Sequence, residues 1–323
     1  MFKIGDIEIT NKIIAGPMAG ISNAAFRELL FENDAGLVYT EMVSDKAIIY
    51  KNEKTLKMCE IDDHYHPVSI QLFGSEVDSM VKAAVYLDQM TNADIIDINM
   101  GCPMTKVIKT GAGSALMRTP DLALEIVSSI IKNVKKPITV KMRLGFTKDE
   151  MNYLDLAKRL EGVGVKAIAL HARTRSQMYE GEADWSHVKR LKEELSIPVF
   201  GNGDIRTVDD IKRRIDETAC DAVMVARALV GDPFLIKKAQ TYLQEGIRYE
   251  VSVTKRFAMC LRHASKLCAL YGENTGMRMM REITPHYLRG LANSAKVRSM
   301  TNRIDTYRAL VEILDNYKKD LAL

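Results

Sequence analysis

Eight short apolar runs recur through the first 240 residues, and this recurrence constrains the fold more than any other feature. They read KIIAGP (12–17), GLVYTEM (36–42), PVSIQLFG (67–74), DIIDINMG (94–101), PITVKMRLG (137–145), AIALHARTR (167–175), PVFGNGDI (198–205) and DAVMVARALVG (221–231). Each is nearly continuous in apolar residues, as in parallel strands covered on both faces. Stretches of helical period lie between them, among them SEVDSMVKAAVYLDQM, TPDLALEIVSSIIKNV, DEMNYLDLAKRLEGVG and TVDDIKRRIDE. Thr119 before Pro120, and Thr207, stand where helix N-caps belong, while Gly162 and Gly164 mark a helix end. Eight β/α alternations over this length predict an α/β fold of the TIM (β/α)8 barrel class. An open doubly wound sheet fits less well, because no GxGxxG fingerprint follows the first run.

The pattern changes at about residue 241. No strand signal follows, and three helical periods, at roughly 253–271, 275–291 and 295–320, are separated by Gly272 and Gly290. The expected organisation is a barrel domain over 1–240 and a small C-terminal all-helical domain over 241–323, each of ordinary domain size. Charge follows the same division. Residues 241–323 hold 14 Lys+Arg against 8 Asp+Glu, whereas 1–240 hold 32 against 34. A helical piece of net charge +6 on a near-neutral body suggests a polyanionic partner, although a solvated helical face carries the same signature.

Apolar residues make up 47% and charged residues 27% of the chain, the balance of a globular protein. The longest apolar runs fall far short of the roughly 20 residues of a membrane span, and MFKIGDIEIT lacks the apolar core of a signal peptide. A cytoplasmic location without membrane association is expected. The five cysteines (Cys59, Cys102, Cys220, Cys260, Cys268) are odd in number and show no zinc-like spacing, so free thiols and no bound metal are expected.

Chemistry in a TIM barrel is built at the C-terminal ends of the strands. Here the runs end on AGPMAG, Gln71, Asn99 with Cys102, Lys141 with Arg143, His171 with Arg173, GNGDI and Arg227. Singly, each has a plain structural reading: a rim ion pair, a core histidine, a small buried thiol. Convergence of so many on one rim points instead to a site. Gly201 and Gly203 let backbone N–H groups approach an anion, and Arg227 adds charge in the loops that form the usual phosphate site of this fold. The phosphate of flavin mononucleotide (FMN) fits there, with Lys141 placed to stabilise negative charge on the reduced ring.

NMGCPMTKVIKTGAGSALM (99–117), with GPMAG, QLFG, VKMRLG, LHARTRSQMYEGEADW and NGDI, resembles the tRNA-dihydrouridine synthases, most closely the bacterial B-type subgroup. The resemblance covers residues 4–240 and, more loosely, the helical tail. The cysteine motif is its specific part, since NGDI and GPMAG also occur in other flavin barrels. What it implies is reduction of the C5=C6 bond of uridine in tRNA to 5,6-dihydrouridine by a monomeric enzyme, with FMN as cofactor and NADPH as reductant. Pro17, Met18 and Ala19 would line the flavin, with Gln71 bonding its ring, Lys141 near the N1/O2 edge and His171 beside it. Asn202, Gly203, Asp204, Ala226 and Arg227 would hold the ribityl phosphate. Asn99 and Arg173 would orient the uracil, and Cys102 would donate the proton.

Saturating the bond needs a hydride at C6 and a proton at C5, and a thiol near its ordinary pKa of about 8.5 is mostly protonated at pH 7. Gly101 and Pro103 bend the chain sharply, so the thiol is expected to face the cavity. MTKVIKTGAG is expected to be a mobile loop whose Lys106 and Lys109 touch tRNA phosphate, the alternative being two solvated lysines. A stacked uridine must also be extruded, at roughly a few kcal/mol. Phosphate contacts from the basic tail, Arg281 among them, would offset that cost. In the tail the family often has Lys, His and a Trp-Tyr pair where REITPHYLRG has Glu282, Ile283 and His286, and Pro285 is expected to interrupt the helix. Ala226 stands where a glycine is usual. Two other functions remain open on the residues: a flavin barrel acting on a free pyrimidine, and a non-catalytic RNA-binding protein with a relic flavin site. The basic tail and the long cysteine loop argue against the former.

Overall fold

The structure, a computed structural model, describes residues 1–322. Two short strands precede the expected set. β1 (Phe2–Ile4) and β2 (Ile7–Ile9) pair antiparallel, Phe2 opposite Ile9, around Gly5 at φ 58°. FKIGDIEI alternates apolar and polar residues about Gly-Asp, a hairpin signal too short to register as an apolar run.

β3 (Ile13–Ala15), β4 (Leu37–Ser44), β5 (Val68–Phe73), β6 (Ile95–Met100), β7 (Ile138–Arg143), β8 (Ala167–His171), β9 (Val199–Asn202) and β10 (Ala222–Val225) match the eight expected runs one for one. They pair in parallel in chain order and close where β10 meets β3, Val223 beside Ile13. The hairpin seals the end of the barrel where the strands begin. Its Ile4 and Ile9 are fully buried in one cluster with Ile14, Leu37, Tyr39, Phe200 and Met224, each isoleucine contributing about 1.5–3 kcal/mol by area.

α1 (Ala24–Phe31) follows β3, α2 (Asp45–Ile49) and α3 (Glu53–Met58) follow β4, and α4 (Val77–Met90) follows β5. α5 (Thr105–Ile108) and α6 (Pro120–Asn133) follow β6, then α7 (Tyr153–Gly162), α8 (Ser186–Glu194) and α9 (Val208–Thr218) follow β7, β8 and β9. Thr207 caps α9 as expected, in a reciprocal box with Asp210. α6 starts on Pro120 and buries Ala123, Ile126, Val127 and Ile130 along one stripe. After β10 come α10 (Leu235–Glu245), α11 (Val253–Tyr271), α12 (Glu273–Tyr287), α13 (Ser294–Thr301) and α14 (Tyr307–Asp320).

By contacts the chain forms two units: 1–23 with 35–226, and 24–34 with the described residues from Arg227 onward. The second unit therefore takes in α1 and α10, where the sequence places a division after residue 240. The cause is non-local. Arg262 pairs with Glu32, just past α1, at 2.5 Å, and within α1 Glu28 pairs with Lys266 and Phe26 stacks on His263 at 5.5 Å, the three partners all lying on α11.

Within this unit α11 and α12 approach closely at Gly276, where a Cβ would lie 2.7 Å from the backbone nitrogen of Cys268. The expected break at Pro285 does not occur; α12 runs through it to Tyr287. Proline in the last turn loses one helical bond, and burial of Ile283, Thr284 and Tyr287 around it holds the turn. The expected helix over 295–320 is two helices, because Thr306 caps a new start by accepting from Ala309 N at 3.2 Å.

Candidate active site

Side chains of a strand alternate in facing, and register then decides which of them meet. Gln71 pairs with Asp97, Asp97 with Thr139, and Asn99 with Lys141 across β5, β6 and β7. These residues meet inside the barrel. Thr139 Oγ1 donates to Asp97 Oδ1 and Gln71 Nε2 to Asp97 Oδ2, both at 2.7 Å. Asn99 Nδ2 donates to Gln71 Oε1 at 2.7 Å, while Asn99 Oδ1 accepts from Gly101 N at 3.1 Å and Cys102 N at 2.9 Å. A bulge in β4 supplies Thr40 Oγ1 to Gln71 N at 3.2 Å.

Lys141 donates from Nζ to Asn202 Oδ1 at 3.2 Å, and Asn202 Nδ2 donates to Met224 O at 2.8 Å. Lys141 keeps partial exposure at the barrel mouth, yet desolvation brings its pKa down to about 8, helped by Arg143 and opposed by Asp97. The same desolvation raises Asp97 to about 6, against its bonds to Thr139 and Gln71. Cys102 is 9% exposed and packs with Val107, Ala112, Met42 and Phe73. Burial pushes its thiol up, while Met104 N–H, Arg143 and Lys141 pull the other way.

The Cys102 turn is braced from two sides. Arg143 donates from Nε to Gly101 O at 2.9 Å and from Nη1 to Thr174 O and Met178 O, and Ser114 Oγ donates to Cys102 O at 2.9 Å. The segment expected as a mobile loop is instead ordered as α5 and a 3-10 turn over Gly113–Arg118, because these bonds return it to the strand end. Lys106 and Lys109 are exposed there.

Arg173, expected at the uracil, is held here by protein groups. Only 1% exposed, it clamps Asp204 with Nη1 and Nη2 at 3.1 and 2.6 Å and binds the carbonyls of Glu180 and Gly181. Little donor capacity is left, and Asp204, expected at a phosphate, has its carboxylate turned to this guanidinium and to Ala183 N. The clamp shapes the loop after β9, where Gly203 at φ 133° and Asp204 at φ 50° turn the backbone. Gly201 lets the ring of Trp185 lie against the strand, and Trp185 Nε1 donates to Gly203 O at 3.0 Å.

His171 is buried at the end of β8, 6.3 Å from the ring of Tyr179. Pro17 and Met18 are half-buried and Ala19 exposed in a turn that Ser22 closes on Met18 N at 3.0 Å. Ala226 ends the barrel unit, and exposed Arg227 opens a 3-10 turn of the other unit. There too lies Arg281, whose guanidinium binds Ile304 O at 2.9 Å and Asp305. A cavity of about 430 Å³ lined by Glu182, Trp185, Lys189, Arg214 and Glu217 opens beside α8 and α9, and its lining includes none of Gln71, Asn99, Cys102 or Lys141. The convergent polar groups, and not this cavity, define the candidate site. Sequence reasoning passed over Asp97, Thr139 and the bracing role of Arg143; a charged or hydroxyl residue at an inward position of an otherwise apolar run is the signal that marks them.

The sequence model of the dihydrouridine synthase (Dus) family matches residues 13–322. A probable tRNA-dihydrouridine synthase of Rickettsia bellii is 38% identical over 304 residues, 94% of this chain and 93% of that one. The tRNA-dihydrouridine synthase B of Vibrio parahaemolyticus is 36% identical over 321 residues, 99% of each. Among solved structures, histamine dehydrogenase from Rhizobium sp. 4-9 superposes with a TM-score of 0.56 at 17% identity, over 87% of this chain and 50% of that longer one, a likeness of fold. With a barrel whose strand ends bring Gln71, Asn99, Cys102 and Lys141 together, and relatives matched along nearly the whole length, the chain belongs to the dihydrouridine synthase family.

Proposed function

We propose that this protein reduces the C5=C6 bond of uridine in tRNA to 5,6-dihydrouridine in the cytoplasm, as a monomer, with FMN as cofactor and NADPH as reductant. The observation that carries this reading is the network in which Asn99 holds the backbone of Cys102 while Gln71, Lys141 and Asn202 share the same barrel mouth. That donor set fits FMN: amides for the ring edge and a cation for the N1/O2 side, with the left-handed backbone at Gly203 and Asp204 offered to its phosphate. Bound there, FMN supplies the hydride that goes to C6.

Cys102 gives its proton to C5. Burial keeps the thiol protonated at neutral pH, and Met104 N–H, Arg143 and Lys141 stabilise the thiolate it leaves. Asn99 acts on the base through Cys102, by fixing the turn that carries the sulfur. The +6 tail and the exposed Lys106 and Lys109 supply the phosphate contacts that offset extrusion of the uridine.

Deleting the gene and mapping dihydrouridine across the tRNAs tests the reading. The expected result is loss at one or more positions, restored by the wild-type gene and not by Cys102→Ala, with purified protein absorbing in the near-ultraviolet and blue. Unchanged dihydrouridine, or a colourless flavin-free protein, overturns it.

A further inference from the structure

Asp97 takes no direct part in the reaction as proposed, yet it ends a hydrogen-bond chain that begins at the Cys102 turn. The polarity of that chain is forced from the turn inward. Backbone N–H groups only donate, so the Asn99 atom facing Gly101 N and Cys102 N is Oδ1. Nδ2 then faces Gln71 and donates to Oε1, which leaves Gln71 Nε2 to donate deeper into the barrel. The group that receives it must accept, and Asp97 Oδ2, which when ionised can only accept, stands there at 2.7 Å. Thr139 fills the other oxygen.

We infer that Asp97 is a positioning residue whose carboxylate fixes the orientation of the Gln71 and Asn99 amides, and through them the turn that presents Cys102. An amide at position 97 would offer Gln71 a donor as readily as an acceptor. Gln71 could then reverse, Asn99 would follow, and an NH2 would face the backbone N–H groups of the turn. A fully buried carboxylate with no ion-pair contact among the described residues is a costly core group. Desolvation raises it only to about 6, so at neutral pH it remains the acceptor the chain requires. The inference deepens the proposed function, in which Cys102 is the proton donor.

The test reads the thiol itself. Full-length protein is treated with iodoacetamide, and alkylation of Cys102 is followed by peptide mass spectrometry relative to the half-buried Cys268. Asp97→Asn is expected to raise the relative rate about fivefold, the effect of losing roughly one hydrogen bond at the turn. Thr139→Val removes the other bond to Asp97 without reversing any amide, and stays within about twofold of wild type. Adding Gln71→Glu to Asp97→Asn restores the polarity and returns the rate to within about twofold. In that double variant the amide introduced at position 97 donates to the carboxylate introduced at position 71, which in turn accepts from Asn99.

An unchanged rate in Asp97→Asn, an equal rise in Thr139→Val, or a double variant no better than the single one overturns the inference. Should Asp97→Asn not fold, Gln71→Met cuts the next link and is expected to give the same rise; no rise overturns the inference. Alkylation requires neither flavin nor tRNA turnover, so failure here leaves the proposed function standing, and failure of that function leaves this result readable.

Discussion

The two units bury polar groups in opposite ways. In the barrel, the Cys102 turn donates to Asn99, Asn99 to Gln71 and Gln71 to Asp97, whose other oxygen accepts from Thr139, so one chain of bonds runs from the turn to a single buried acceptor. The helical unit buries Cys260, His263, Thr284 and Tyr287 among Phe257, Leu267 and Met280. There His263 Nδ1 lies 3.2 Å from Tyr287 Oη while Nε2 has no partner among the described residues. Connected burial transmits orientation, whereas isolated burial only costs stability. The first marks the candidate site; the second is a core with a weak point.

The largest effect that sharpens this contrast is on activity. Cys102→Ala is expected to lower dihydrouridine formation at least about a hundredfold with the fold intact, and a variant retaining a tenth of the activity would break the assignment. Next come two glycines. A Cβ on Gly201 would meet the Trp185 ring at 2.1 Å, and one on Gly276 would meet Cys268 N at 2.7 Å. Alanine at either is expected to cost about 3 kcal/mol in urea unfolding. Trp185 is the only tryptophan, so its emission should shift in Gly201→Ala and stay constant in Gly276→Ala.

Acidification separates the units further. His263 is lowered from its ordinary value to about 3 by burial, so the native state binds fewer protons than the unfolded chain between there and pH 6.5. Stability is full above pH 6.5 and is lost as pH falls through this window, by about 2 kcal/mol at pH 5. Asp97, raised to about 6, runs the other way: its contribution is present at low pH and lost as pH rises through 6. His263→Leu should therefore gain on wild type by about 2 kcal/mol between pH 6.5 and pH 5; parallel pH curves would sink the idea. The smallest effect expected is from Arg281→Ala, about 1 kcal/mol for the ties to Ile304 and Asp305. No change in Tm would remove Arg281 from the structural bonds of the helical unit.

Much of the candidate site was legible because its residues fall toward the C-terminal ends of the strands: Gln71, Asn99, Lys141 and His171 lie in the second half of theirs and Cys102 just past β6. The pairing of Arg173 with Asp204 is not legible in the sequence, for a physical reason. The charge and position of Arg173 resemble those of a substrate contact, but its partner Asp204 lies 31 residues on, and the pair becomes neighbours only through the loops after β8 and β9. Asp97 carries only a weak signal for the converse reason, since inside an apolar run it reads as an interruption until Gln71 and Thr139 are placed on either side.

By itself, then, the sequence determined the eight strands, their order, the cysteine turn and a helical tail, because apolar run length, period and capping are encoded among near neighbours. Only the tertiary structure decided that α1 joins the helical unit, that Arg173 clamps Asp204, and that a buried carboxylate stands behind the turn at Cys102. Those pairings join residues far apart in sequence, through helix packing, loop approach and, for Asp97, the register of β5, β6 and β7, and no local stretch of chain carries that information.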